Sequence, residues 1–364
     1  MRKSNIELLR IFSMLLIVMH HYSVHGGFNL YSNNIVTINK IIIQFLSAGG
    51  KLGVDCFILI TGYFMINSSI SAKKVFKLLF EISFYSVTIY ILFNIFGYIN
   101  FDMKAAIKSF FPTIFGMYWF ATNYVVLYLL SPFLNQLLKN LNRENHFKLI
   151  FLLVIIWSIL PTFTTASPAY SPLGWFITLY IIAAFIRLYL NNYLASFKIN
   201  ILLFMFGYLC VLLSIVIFDF IGQWNNVFAK HATFFTGMNK LTVLFCSVTL
   251  FLAFKNLKIK NNKVINSIAA TMFGVYLIHD NRYLRPFLWQ DLFHNNTYYE
   301  SSYLLIHAVI VILFVFWICT IIDMIRIKLV EKPILKLVER NEIVFNKKCY
   351  QLNDKFIRLT KRST

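Results

Sequence analysis

Charge is what this sequence has least of. Only 13% of its 364 residues are Asp, Glu, Lys or Arg, and 59% are hydrophobic. An ordinary soluble domain carries about 25% charged and roughly 45–50% apolar residues, so a soluble globular fold is excluded. Cysteine is scarce too, at five residues. Cys56, Cys210, Cys246 and Cys319 fall inside apolar spans and Cys349 falls in a basic tail. No pair spans an outer loop and no spacing resembles a metal site, so neither a disulfide framework nor a metal centre is expected. The cysteines read as small buried apolar side chains. No small-x-small cleavage site follows the first apolar stretch, which is too long and carries Arg10; it is not a cleavable signal peptide. No aromatic-and-basic RNA-binding motif accompanies the net charge of +20, so nucleic acid is not an expected partner.

What is present is apolar sequence in blocks of about 20 residues, the length that crosses hydrocarbon. We read spans at 6–24, 41–66, 75–97, 117–138, 147–164, 172–190, 200–221, 235–254, 264–280 and 303–325. The expected fold is all-α, a polytopic membrane bundle of about ten transmembrane helices. Thirty-nine Phe and twenty Tyr suit lipid-facing and interfacial surfaces. The transmembrane domain runs over 1–333, and 334–364 forms a basic amphipathic tail. That tail suits the anionic inner leaflet, or alternatively a docking site for a soluble partner. The longest outer loops, near 25–40, 98–116 and 281–302, are long enough only to cap a cavity.

The cations alternate. Lys and Arg on one set of loops and the tail number 25, against six on the other set: Lys40, Lys104, Lys108, Lys230, Arg282 and Arg285. The positive-inside rule then places both termini in the cytoplasm and requires an even number of spans.

An ionisable side chain at membrane depth costs several kcal/mol unless it meets a partner or a cavity. The first span has two, Arg10 and His21, eleven residues apart. At about 100° per residue they share a face, separated by about 16 Å along the axis, and His20 is turned away by about 100°. Glu7 lies one turn before Arg10 and is placed to pair with it. His25 extends the stripe. In the second span Lys51 and Asp55 are one turn apart and suited to an ion pair, while Gly49, Gly50, Gly53 and Gly62 allow close helix approach. The ninth span ends in His279-Asp280, so His21, Asp55, Lys51 and His279 are expected at one depth. A histidine oriented by a carboxylate is a general base. The plainer reading of each is a snorkelling or interfacial residue.

Two spans open on one pattern: Trp119-Phe120-x3-Tyr124 and Trp175-Phe176-x3-Tyr180, with Asn123 inside the first. They read as an aromatic belt, or as a stacking wall for a sugar. Trp119, Asn123, Tyr124, Trp175 and Tyr180 are then the acceptor-binding candidates.

Asn5-Ile6-Glu7-Leu8-Leu9-Arg10 with the spacing Arg10-x10-His21 resembles the first-helix signature of the acyltransferase family 3 membrane proteins. Gly53-Val54-Asp55-Cys56-Phe57-Ile58-Leu59-Ile60-Thr61-Gly62-Tyr63-Phe64 is similar to a second stretch of that family, departing at Ile58 and Thr61. Lys73-Lys74-x2-Lys77 stands where the family often carries arginines; lysine keeps the charge and loses the bidentate fork. Phe273 to His279 and Val330-Glu331-Lys332-Pro333 also look like family segments. The resemblance implies an O-acyltransferase, usually an O-acetyltransferase, in the bacterial plasma membrane. It implies acyl-CoA, usually acetyl-CoA, as a cytoplasmic co-substrate with no bound cofactor. The acceptor it implies is a polysaccharide or lipid-linked glycan. Arg10 would hold the donor phosphate or thioester region, or stabilise negative charge on the thioester oxygen, and His21 would be the general base or a transient acyl carrier. Lys73, Lys74 and Lys77 form a cationic rim suited to CoA phosphates, or are ordinary positive-inside lysines. A transporter or flippase is the alternative, since it also uses intramembrane charges. A glycan polymerase would be expected to carry a large outer loop.

Overall fold

A computed structural model of the chain describes residues 3–30, 35–164, 166–190 and 196–340. All regular structure among them is helical. The helices are α1 (Ser4–His25), α2 (Ile38–Met65), α3 (Ala72–Ile95), α4 (Met103–Phe110) and α5 (Trp119–Asn140). Next come α6 (Arg143–Phe163), α7 (Pro172–Tyr189), α8 (Phe197–Gly222) and α9 (Leu241–Asn256). The last are α10 (Lys263–Ala269), α11 (Met272–His279), α12 (Leu304–Arg326) and α13 (Lys332–Arg340). Of the tail expected over 334–364, the part to 340 lies in α13; the rest, with Cys349, lies outside the described residues.

Among the described residues, eight stretches are long and apolar enough to cross a membrane: α1, α2, α3, α6, α7, α8, Asn226–Asn256 (which contains α9) and Leu304–Val338 (which contains α12). The chain is therefore a multi-pass membrane protein. Two of the ten expected spans differ. α5 is helical over 22 residues but is not among the eight. The ninth is broken at Ala270-Thr271 into the short pair α10 and α11. Ala270 ends the first piece, and the Thr271 hydroxyl turns back to donate to the Ile268 carbonyl at 2.7 Å. The break frees backbone that neighbouring helices must cover, as is tolerated where irregular chain is buried in protein.

Local chemistry sets several helix starts. Thr37 and Ser71 accept from backbone N–H groups of Lys40 and Lys74 and so cap α2 and α3. Ser171 caps α7, with Pro172 in the first turn where its missing N–H costs nothing.

Burial divides the bundle. In the most apolar window of α2, 72% of residues are buried, against 11% in α8. α2 is thus central and α8 presents itself to lipid. The centre is built by glycine. A Cβ on Gly50 would lie 2.2 Å from His20 Cγ, and one on Gly53 would lie 2.5 Å from the Ser13 carbonyl oxygen. These two let α1 lie directly on α2, and Gly62 does the same for α2 against α7, 2.9 Å from Tyr180 Cα. Lipid tails are as apolar as leucine, so close backbone approach and buried polar pairs hold such helices together. One pair corrects the charge tally: Lys40 is not a loop lysine. It lies buried in α2, with Nζ 3.0 Å from Asp219 Oδ1 of α8, which also accepts from Gln44 at 3.3 Å.

The segment 281–302 folds into short helical turns over one end of the bundle. Trp289 is fully buried there, edge-on to His279 and Tyr22. Gln290 and Asn295 donate to the carbonyls of His25 and Tyr22.

Candidate active site

Arg10 and His21 project from one face of α1 into two different cavities. The Arg10 cavity is about 230 Å³. Its polar lining comes from Glu7, Arg10, Thr61, Lys74, Lys77, Glu81, Tyr124 and Tyr128, on four helices. Glu7 Oε2 lies 3.2 Å from Arg10 Nε, the pairing expected one turn apart. The lysine rim divides. Lys74 lines the cavity, with Nζ on the Ser69 carbonyl at 3.2 Å. Lys77 lines it too, but its Nζ lies 2.5 Å from Glu331 Oε1. Lys73 does not line it.

Behind this cavity is a charge cluster whose main members sequence reasoning passed over. Arg326, 3% exposed, is surrounded by three carboxylates: Glu81 at 2.9 Å, Asp323 at 2.7 Å and Glu331 at 2.8 Å. Tyr85 donates to Asp323 at 2.6 Å. Gly274 in α11 is required by this knot, since a Cβ there would lie 2.2 Å from the Asp323 carboxyl carbon. The signal available in the sequence was Asp323-x2-Arg326, charge at the end of a long apolar run.

The His21 cavity is small, about 30 Å³, and is lined by His20, His21, Lys51, Trp119, Phe120 and Tyr276 among others. Its hydrogen bonds define a tautomer. His279 Nδ1 lies 2.5 Å from the Val275 carbonyl oxygen, one helical turn back. A carbonyl only accepts, so His279 Nδ1 carries the hydrogen. No carboxylate lies within the 4.0 Å ion-pair distance of His279 among the described residues. In the neutral ring Nε2 then accepts, and its partner at 2.8 Å is His21 Nδ1. His21 therefore donates through Nδ1 and keeps its lone pair on Nε2. Asp280 Oδ1 stands 3.8 Å from that nitrogen, 3.7 Å from His25 Nε2 and 3.2 Å from Arg285. A carboxylate at that place stabilises the imidazolium that forms when Nε2 takes a proton.

The expected group is thus partly reassembled. His21, His279 and Lys51 meet at one end of the bundle. Asp55 is elsewhere: it is fully buried and accepts from Trp175 Nε1 at 3.1 Å. No Lys51–Asp55 ion pair forms; Lys51 Nζ sits 4.8 Å from the Trp119 ring centroid instead. The neighbouring carboxylate at the histidines is Asp280, whose place beside His279 was visible but whose role was not. The aromatic repeat also splits. Trp119 lines the His21 cavity and Tyr124 the Arg10 cavity. Asn123 turns back to the Trp119 carbonyl at 2.6 Å. Trp175 and Tyr180 have no exposed surface, and Tyr180 donates to Asn135 at 2.5 Å. They brace the core.

Among the described residues, Phe120 is the one common to the linings of the two cavities. Its ring is held by Tyr124, Tyr276, Phe176 and Phe57 at centroid distances of 5.8, 5.3, 5.6 and 6.3 Å.

The fold is thus a multi-pass helical bundle in which one face of α1 carries a hydrogen-bonded histidine pair toward one cavity and Arg10 into a second, cation-lined one. The family described as "Acyltransferase domain", acyltransferase family 3, matches residues 3–324, and the chain belongs to it. The protein is an acyltransferase. No curated protein and no solved structure matches it.

Proposed function

We propose that this enzyme is an O-acyltransferase, and more narrowly an O-acetyltransferase: it moves an acyl group from cytoplasmic acyl-CoA to a hydroxyl of a surface or capsular polysaccharide or its lipid-linked precursor, and the small His21 cavity of about 30 Å³ suits an acetyl group. It works in the bacterial plasma membrane as ten membrane segments, counting α5 and the broken α10–α11 pair, with both termini cytoplasmic. The observation that carries this reading is that one helix face feeds both cavities, Arg10 into the cationic one and His21 into the histidine one, with a single ring between them.

The donor's anionic portion occupies the Arg10 cavity, where Arg10, Lys74 and Lys77 are the cations. About 16 Å of helix separates Arg10 from His21, so the long thiol arm of the donor spans the distance past Phe120. His21 Nε2 takes the proton of the acceptor hydroxyl. The hydroxyl oxygen bonds to the acyl carbon, the carbon–sulfur bond breaks, and CoA leaves as the thiolate, which takes up a proton. Lys51 over Trp119 offers the acceptor a cation and an aromatic ring. The transporter alternative has no support in the family match.

The test is purified protein with labelled acetyl-CoA and a cell-surface glycan acceptor. His21→Ala is expected to lower the transfer rate by about 10²–10⁴-fold, the usual contribution of a general base. Arg10→Ala is expected to raise the donor KM. Full transfer by His21→Ala would overturn the assignment of the base, and absence of CoA binding to wild type would overturn the donor.

A further inference from the structure

We propose that His21, His25 and Asp280 form a binding site for a zinc-class divalent cation at the His21 end of the bundle. Three ligand atoms face one point there: His21 Nε2, His25 Nε2 and Asp280 Oδ1, all within 4.8 Å of one another. The two histidines are four residues apart on α1, the spacing that puts a pair of imidazoles on one helical face. The carboxylate comes from the opposite wall, at the end of α11. Its distances of 3.8 and 3.7 Å to the two nitrogens need a small contraction, and the two nitrogens, within 4.8 Å of each other, must draw together further. A tetrahedral zinc ion with bonds of about 2.0–2.1 Å holds its ligand atoms roughly 3.3 Å apart.

The supporting contacts are those that metal ligands use. A metal-bound histidine donates its other ring N–H to a fixed acceptor. His21 does so to His279, which is itself held by the Val275 carbonyl. Asp280 is oriented by Arg285. That bond and nearby Lys51 oppose a cation, so the site suits an ion that bonds strongly to imidazole. Zinc, copper and nickel do so; magnesium and calcium prefer oxygen. Three protein ligands leave a fourth position open to water or to an acceptor hydroxyl.

A metal at this point occupies the Nε2 lone pair of His21. Binding would therefore inhibit the acyl transfer, a consequence that rests on His21 being the base; the site itself does not.

Zinc chloride titrated calorimetrically into the purified full chain is expected to bind one ion per protein. His25→Ala and His25→Gln are each expected to weaken that binding by about 10–100-fold, and magnesium or calcium in excess should not compete. Both variants should keep the wild-type thermal transition and basal acyl transfer, and lose inhibition by zinc that a chelator reverses in wild type. No saturable zinc binding, or binding unchanged in both folded variants, would overturn the site. Saturable, His25-dependent binding without inhibition would uphold the site and overturn the role of His21.

Discussion

The tautomer of His21 is set by its neighbours rather than by its own position. One backbone carbonyl, Val275, sets the tautomer of His279, and His279 sets that of His21. Replacing His279 by Phe removes the acceptor for His21 Nδ1–H and lets the ring turn. We expect kcat to fall by about 10²-fold, in the lower part of the range for general-base catalysis. The donor KM should stay unchanged, because the Arg10 cavity is not touched. Steady-state kinetics with acetyl-CoA as the varied substrate separate the two. A rise in donor KM with kcat intact would contradict the tautomer chain. At this scale much was legible. Arg10, His21, His279 and the Glu7–Arg10 pair stand out because ionisable groups are rare in apolar spans. Asp280 and His25 were equally visible as residues, but which carboxylate meets which histidine depends on helix rotation. Lys51 and Asp55 show the limit: one turn apart, they satisfied the spacing for an ion pair, and the fold gave Asp55 to Trp175.

Helix packing turns two isolated cavities into a candidate path. α5 contributes Phe120 between them, and α1 contributes both functional side chains. If Phe120 separates donor from acceptor, its size controls what passes. Phe120→Ala should raise hydrolysis of acyl-CoA in the absence of glycan by at least about tenfold, or ~1.4 kcal/mol of barrier, because water then reaches the thioester. Phe120→Trp should lower transfer while leaving CoA affinity unchanged. Thiol release and CoA binding measured in parallel check both, and unchanged hydrolysis in Phe120→Ala would remove the partition. The cluster around Arg326 belongs to this scale as well. It joins α3, α12 and the turn 327–331 that links α12 to α13, and it takes Lys77 through Glu331. Breaking a buried ion cluster by removing one partner leaves the other charges uncompensated. The Asp323–Arg326 pair was readable from its spacing, but the Glu81 contact was not, since Glu81 and Arg326 are 245 residues apart.

Over the whole molecule, the alternation of lysines and arginines makes a topological prediction. Reporter fusions at the C-terminus and after Ala72 should be active on the cytoplasmic side, and one at Gly116 on the outer side. The opposite result for the C-terminus alone would mean an odd number of crossings. Lys40, moved from loop to core, leaves the bias intact.

The sequence by itself determined that the chain is a helical membrane protein, where its apolar blocks lie, and that α1 carries Arg10 and His21 on one face. Each of those follows from composition and from the fixed period of a helix, which are local. The family segments were legible for the same reason. Only the tertiary structure decided that the two residues open into separate cavities, that Phe120 stands between them, and that Asp280 rather than Asp55 faces the histidines. It also decided that the ninth apolar block is broken, and that Gly274 of its second piece packs against Asp323. These depend on how helices far apart in sequence rotate and press together. Inside a membrane that is set by close glycine contacts and buried polar pairs, and neither leaves a periodic trace along the chain.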